Sequence, residues 1–348
     1  MIRVLIVEDS PTLRLLLKTI LESDPQIQVI GTAASGEEGV RMALALKPDI
    51  ITMDIHLPGM DGFEATRRIM EQRPTPIVIV SSSVDRNEVL ITFNAMQAGA
   101  LEVLEKPTST NHPDYAALRE RLLTSVKLMS EVKVIRRYRS PMADRSRLSQ
   151  VGRPVRPYAL VAIGASTGGP AALNALFKEL PADFSLPIVV VQHMTVGFTA
   201  GLAAWLQLAS RLTVKIAEAG ESLRAGTIYL APDDTHIEFQ QRGVIGLSKA
   251  PTVSHVRPSA TVLFESVARV YGAEAIGVLL TGMGDDGALG LKAMRERGAT
   301  TIAQDEATSA VYGMPKAAAE IGAAEQILPL NQIAAAVLTL ASGTRRPS

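Results

Sequence analysis

The sequence predicts an α/β protein of two doubly wound domains, and three observations carry that prediction. Short β-branched runs alternate with amphipathic stretches from the first residue. The alternation breaks once, in a stretch rich in Arg, Ser and Pro, and then resumes. Acids, serines, a lysine and a histidine gather where the apolar runs end, the edge at which doubly wound sheets bind ligands. The predicted architecture is an N-terminal five-stranded parallel sheet and a C-terminal, mostly parallel α/β domain with a β-hairpin.

Composition agrees with this. The chain has 348 residues, enough for two ordinary domains. At 47% hydrophobic residues it can build a sizeable core. Lys plus Arg and Asp plus Glu number 35 each, so no basic surface for nucleic acid is expected. There is no cysteine, which excludes disulfides, thiolate zinc sites and cysteine nucleophiles. The opening "MIRVLIVEDSP" places Glu8 and Asp9 where a signal peptide would need small residues. With no long apolar window either, a cytoplasmic protein without direct membrane insertion is expected.

Taken in order, "IRVLIV" reads as a buried strand, and residues 11–23 as a helix with Pro11 in its first turn. "IQVIGTA" is a strand and 36–46 a helix. "DIITMD", "PIVIVS" and "LEVLEK" are three more strands, with helices between them and one after. The first domain is placed at 1–125, its last helix running to about 134, and an exposed basic linker at 135–157. The second domain spans 158–345. Its expected strands are "YALVAIG", "LPIVVVQ", "IGVLLT" and "TTIAQ", with helices over 170–179, 199–209, 259–271 and 288–297. "THIEFQQRGVIGLSK" reads as a hairpin turning near Arg242 and Gly243.

In the first domain Glu8 and Asp9 end the first strand, Asp54 the third, Ser81 the fourth and Lys106 the fifth. All five converge on one sheet edge. Clustered carboxylates repel, and a hard cation such as Mg²⁺ compensates them. Lys106 offers a compact charge for a phosphoryl oxygen, and a carboxylate can itself accept a phosphoryl group. The motifs "VLIVEDSP", "DIITMDIHLPGMDG", "VIVSS" and "EVLEKP" resemble the receiver domain of bacterial two-component response regulators. The resemblance implies phosphorylation of Asp54, Mg²⁺ held by Glu8, Asp9, Asp54 and the carbonyl of His56, and phosphoryl contacts from Ser81 and Lys106. Many receivers carry an aromatic switch residue where this chain has Val103. The helix expected over 85–98 is then the carrier of the signal.

In the second domain the turn "GASTGGP" poses a choice between a phosphate cradle and a nucleophile. It lacks the Lys-Ser/Thr of a P-loop and the spacing of a dinucleotide fingerprint. Gly164, Ser166 and Gly168 fit G-x-S-x-G, a strand-to-helix turn that exposes a serine hydroxyl. A nucleophilic serine needs a base, and the base an orienting acid. Of five histidines, His56 and His112 lie in the first domain; His193 follows a strand and is favoured over His236 and His255. "IGVLLTGMGDDGALG" supplies two acids at a strand end, Asp285 and Asp286, and spacing does not choose between them.

The order Ser, His, Asp differs from that of the α/β-hydrolases. The motifs "IGASTGGP", "VQHMTVGFT", "GTIYLAP", "RPSATVLFES", "LTGMGDDGA" and "AQDEATSAVYGMPKAA" resemble the catalytic domain of chemotaxis protein-glutamate methylesterases. The resemblance implies Ser166 as nucleophile, His193 as base and Asp286 as orienting acid. It also implies oxyanion donors near the nucleophile turn and at the Met283 N–H, and no cofactor for the ester reaction. It further implies methylated chemoreceptors as substrate, a chemotaxis-type histidine kinase as phosphodonor, a second glutamine deamidase activity and a resting receiver that covers the esterase site. Thr195 after "HM" and Ala260-Thr261 after "RPS" depart from the family pattern, and neither departure is expected to touch the triad. A non-enzymatic regulator is the rival reading, and an intact Ser166, His193 and Asp286 set argues against it. A DNA-binding output lacks a helix-turn-helix pattern.

Overall fold

The computed structural model describes residues 1–81, 93–107, 115–132 and 158–343. The expected linker at 135–157, His112 and the first part of the helix expected over 85–98 lie outside the described residues.

Five parallel strands form the first sheet: β1 (Ile2–Val7), β2 (Ile27–Ala33), β3 (Ile50–Met53), β4 (Ile77–Ser81) and β5 (Glu102–Glu105). Their spatial order is β2-β1-β3-β4-β5. The order reverses between β1 and β3, so a crevice opens at their carboxyl ends. The Asp54 N–H donates to the Val7 carbonyl at 2.9 Å, holding the two strand ends together. Helix starts follow from local chemistry. Ser10 caps Pro11–Glu22, Ser35 caps Gly36–Leu46, and Asp61 caps Gly62–Gln72, each accepting a backbone N–H of the first turn. The last helix, Tyr115–Ser130, stops at Ser130 and does not reach the expected 134.

The second sheet has seven parallel strands, three more than the sequence reading delimits. They are β6 (Leu160–Ala165), β7 (Ile188–Gln192), β8 (Thr213–Ile216), β9 (Thr227–Leu230), β12 (Ala275–Leu279), β13 (Thr300–Gln304) and β14 (Gln326–Leu328). Their order is β14-β13-β12-β6-β7-β9-β8. The edge strands β8 and β14 are short and partly exposed, so they lack the continuous apolar run that marks β6. A separate antiparallel pair, β10 (His236–Glu238) and β11 (Gly246–Ser248), is the predicted hairpin. Helices Gly169–Lys178, Thr199–Ala209 and Leu330–Ser342 contribute to one apolar layer, including Leu173, Phe177, Leu202 and Val337. Helices Ala260–Tyr271, Ala288–Glu296 and Met314–Glu320 contribute Phe264, Leu291 and Met314 to the other.

Among the described residues the two domains touch at several points. The Phe93 ring stacks on Trp205 at 5.5 Å between centroids. The Trp205 indole N–H donates to Asn94 Oδ1 at 3.0 Å. The Thr195 hydroxyl donates to the Val103 carbonyl at 3.0 Å. Met283 and Ala310 of the second domain also lie against the apolar cluster of the first. No described helix is long and apolar enough to cross a membrane.

Phe177 is fully buried in the second domain. Phe177→Ala should cost about 3–5 kcal/mol through lost transfer energy and the cavity left behind. Calorimetry should then show the second-domain transition fall while the first-domain transition stays put. An unchanged second-domain transition would show that the helix 169–178 is not packed as described.

Candidate active site and candidate metal centre

Parallel strands aim their carboxyl ends at one edge, so β6, β7 and the turn after β12 deliver Ser166, His193 and Asp286 to the same place. Ala165 pairs with Gln192 in the β6–β7 register, and the His193 N–H donates to the Ala165 carbonyl at 3.0 Å. Ser166 begins the turn into the helix Gly169–Lys178. Its N–H donates to the Thr281 carbonyl at 3.0 Å, and its carbonyl accepts from Gly169 N–H at 2.8 Å. Two glycines make room for this turn. A Cβ on Gly282 would lie 2.3 Å from Met314 Sδ and 2.7 Å from Ser166 Cβ. Gly168 has φ +75°, and its Cβ would lie 2.4 Å from Ala310 Cβ.

His193 and Asp286 meet directly, Nε2 to Oδ2 at 2.9 Å. A carboxylate cannot donate, so Nε2 carries a hydrogen, and Nδ1 is the ring nitrogen not engaged by Asp286. Asp286 is 3% exposed, whereas its neighbour Asp285 is exposed. Three further donors complete the Asp286 carboxylate. The Ser259 hydroxyl reaches Oδ1 at 2.6 Å, Ala260 N–H reaches Oδ2 at 2.6 Å, and Thr261 N–H reaches Oδ1 at 3.2 Å. Burial alone would raise this carboxyl's pKa; hydrogen bonds and charge from His193, with bonds from Ser259 and Thr261, hold it down at about 2. This corrects one sequence expectation. Ala260 and Thr261 do touch the Asp286 part of the site, through their backbone N–H groups. Among the described residues, Ser166 makes no hydrogen bond to the imidazole, and the N–H groups of Thr167 and Met283 have no partner within the protein.

Several positioning groups escaped the sequence reading. The Gln192 amide donates to the carbonyls of Ser166 and His193, both at 2.8 Å, tying the two loops together. The Thr281 hydroxyl donates to the Thr167 carbonyl at 2.9 Å and accepts from Val311 N–H at 2.9 Å. Ser259 had a visible signal, since it opens a helix as an N-cap; its bond to Asp286 spans 27 residues and has no local signature. His255 is exposed, and His236 is fully buried away from the Ser166 turn's own hydrogen bonds.

The first domain brings Glu8, Asp9 and Asp54 within 4.8 Å of one another. Lys106 Nζ lies 2.7 Å from Asp54 Oδ2 and 2.9 Å from Glu8 Oε2. Burial pushes the Glu8 carboxyl up, with the Asp54 charge adding to it. Burial alone would pull the Lys106 ammonium down, but its bonds to Asp54 and Glu8 carry it up. One ammonium does not balance three carboxylates, and the all-oxygen donor set fits a hard divalent cation. The His56 N–H donates to Asp54 Oδ1 at 3.2 Å, while its imidazole is exposed. The Ser81 hydroxyl is buried with no hydrogen-bond partner among the described residues.

Comparison with known proteins places both halves. The family model described as CheB methylesterase matches residues 161–337, and the response regulator receiver domain model matches residues 4–114. The chain belongs to the CheB methylesterase family. A protein-glutamate methylesterase/protein-glutamine glutaminase of Syntrophus aciditrophicus is 50% identical, with 98% of this chain and 99% of that protein covered. One from Nitrosospira multiformis is also 50% identical, with 98% and 97% covered. The crystal structure of the Thermotoga maritima CheB methylesterase catalytic domain aligns with a TM-score of 0.51 and 41% identity, over 53% of this chain and all of that one.

The depressed Asp286 pKa has a consequence for stability. A carboxyl lowered on folding contributes stability that is present above its unfolded value, near 3.8, and lost as pH falls toward about 2. Between about pH 4 and 2, the Tm of the wild type should therefore fall more steeply than that of Asp286→Asn. Parallel falls in the two proteins would mean that Asp286 protonation is not linked to folding.

Proposed function

We propose that this chain is a phosphorylation-regulated serine hydrolase that demethylates glutamate methyl esters on chemoreceptors and deamidates receptor glutamines, in chemotaxis-type adaptation. The observation that carries this reading is the His193–Asp286 pair at the strand end beside the Ser166 turn. The names of the relatives supply the substrate class.

Ser166 Oγ attacks the ester carbonyl while His193 Nδ1 takes its proton. The Ser166–His193 contact closes on substrate binding, as catalytic hydrogen bonds often do. The Thr167 and Met283 N–H groups stabilise the oxyanion, at about 3 kcal/mol per donor. The C–O bond to the methoxy group breaks, and His193 returns the proton to the departing methanol. Water then attacks the acyl-enzyme, gives its proton to His193, and releases glutamate as the proton passes back to Ser166. A glutamine offers the same carbonyl with ammonia as leaving group. Asp286 stays ionised throughout and holds the imidazole by Nε2.

In the receiver, Asp54 accepts the phosphoryl group from a chemotaxis-type histidine kinase. Glu8, Asp9, Asp54 and the His56 carbonyl would hold Mg²⁺, which supplies charge neutralisation for phosphoryl transfer. Ser81 and Lys106 take the new phosphoryl oxygens, with Lys106 leaving its bond to Glu8. In the resting chain the receiver covers the Met283 side of the site. Phosphorylation relieves that cover by favouring a separated arrangement.

Ser166→Ala should lower methanol release from a methylated receptor by at least about 10³-fold while the protein remains folded. Near-normal release would overturn the assignment of the nucleophile. A small phosphodonor with Mg²⁺ should raise the hydrolysis rate of the wild type and leave Asp54→Asn unchanged. Equal stimulation of both would remove Asp54 from the regulation.

A further inference from the structure

His236 is fully buried, and both of its ring nitrogens are engaged. The Ser259 N–H points at Nδ1 across 3.1 Å, and Nε2 lies 3.1 Å from the Pro251 carbonyl. A backbone N–H can only donate and a carbonyl can only accept. The ring is therefore neutral, bare at Nδ1 and protonated at Nε2. The same Ser259 turns its hydroxyl onto Asp286 Oδ1 and caps the helix Ala260–Tyr271. The next two N–H groups of that helix also grip Asp286. The imidazole thus holds the one backbone N–H that precedes all three of these donors.

We propose that His236 is a positioning residue for the hydrolase: by accepting the Ser259 N–H it sets the helix start whose donors orient the Asp286 carboxylate toward His193. This rests on the reading of His193 and Asp286 as catalytic. The neighbouring loop supports it. Arg257 donates to Asp234 at 2.8 Å and to the carbonyl of Ala250 at 2.9 Å, so the chain on both sides of the Pro251 contact is tied down. His236 touches none of the reacting atoms. It acts on rate through the aim of a carboxylate, and small misplacement at that distance costs up to about 100-fold.

The two halves of the ring can be replaced separately. His236→Asn places Oδ1 where Nδ1 stood, so Ser259 keeps its acceptor while Pro251 loses its donor. His236→Gln places Nε2 where the ring Nε2 stood, so Pro251 keeps its donor while the Ser259 N–H is left bare. With full-length protein and a methylated receptor, kcat of His236→Asn should stay within about threefold of wild type. His236→Gln should lose about 10–100-fold in kcat with KM unchanged. Full activity in His236→Gln, or equal losses in both variants that track lost Tm, would overturn the proposal. A second measurement needs no variant. In the ¹⁵N spectrum of the wild type, His236 should show a bare Nδ1 and a protonated Nε2; a protonated Nδ1 overturns the proposal. Ser166→Ala, run alongside, separates the two levels. If it retains activity, the serine hydrolase reading fails; if it is inactive while His236→Gln is not, only the role of His236 fails.

Discussion

A carboxylate taken out of water must find donors, and Asp286 finds four. That demand organises the second domain around the site. The helix Ala260–Tyr271 presents its N-terminal turn, where unpaired N–H groups and the helix dipole both favour negative charge. Ser259 serves two ends at once, capping that helix and binding the carboxylate. His193 arrives from β7 as the fourth donor. Remove any one of them and a buried charge is left underbonded, which costs more than the bond itself is worth. Bonds from His193, Ser259 and Thr261 hold the Asp286 carboxyl below its ordinary range despite its burial.

The first domain treats charge in the opposite way. Glu8, Asp9 and Asp54 converge on the crevice between β1 and β3, and Lys106 is the cation in contact with two of them. Among the described residues, that leaves a negative excess at the crevice. Both domains use the same sheet edge for the same geometric reason, since loops after parallel strands converge there. One edge stabilises a fixed ion bonded to His193. The other, in the proposed reading, keeps a carboxylate poised to react with a phosphoryl group, with the Ser81 hydroxyl, which has no hydrogen-bond partner among the described residues, as a contact for it.

Strand ends were legible because buried parallel strands are continuous apolar runs, and a polar residue at the end of such a run stands out. Glu8, Asp54, Lys106, Ser166 and His193 were all found that way. The choice between Asp285 and Asp286 was not legible from spacing, because it depends on which side chain turns inward after β12. Three strands went undelimited. Two of them are short edges with little buried surface, and β9 is four residues long inside a turn-rich stretch. His236 was weighed only as a rival base, and neither it nor Gln192 gave any signal of a positioning role. Each works through bonds to residues from other segments, and a buried imidazole on a hairpin reads locally as nothing more than part of a strand. Ala260 and Thr261 were misjudged for a related reason: their contribution is backbone, so the identity of the side chain says little about it.

The absence of an aromatic residue at position 103 takes on a different meaning once the domains are seen together. An aromatic switch reports by moving its ring, and valine has no such ring to move. Here the contact to the second domain is made by the backbone: the Val103 carbonyl accepts from the Thr195 hydroxyl. A carbonyl reports where its strand lies, whatever side chain it carries. That strand, β5, is four residues long and leads directly into Lys106, the residue bonded to Asp54. Thr195 in turn follows His193 by two residues and sits in a loop pinned by Asp233, which accepts from the Gly197 N–H and the Thr199 hydroxyl. A proline at position 195 could not make this bond, because it carries no hydroxyl. The departure at 195 thus supplies the hydroxyl of this contact, and position 103 supplies only its backbone. The contact joins the strand that leads into Lys106 to the loop that begins at His193.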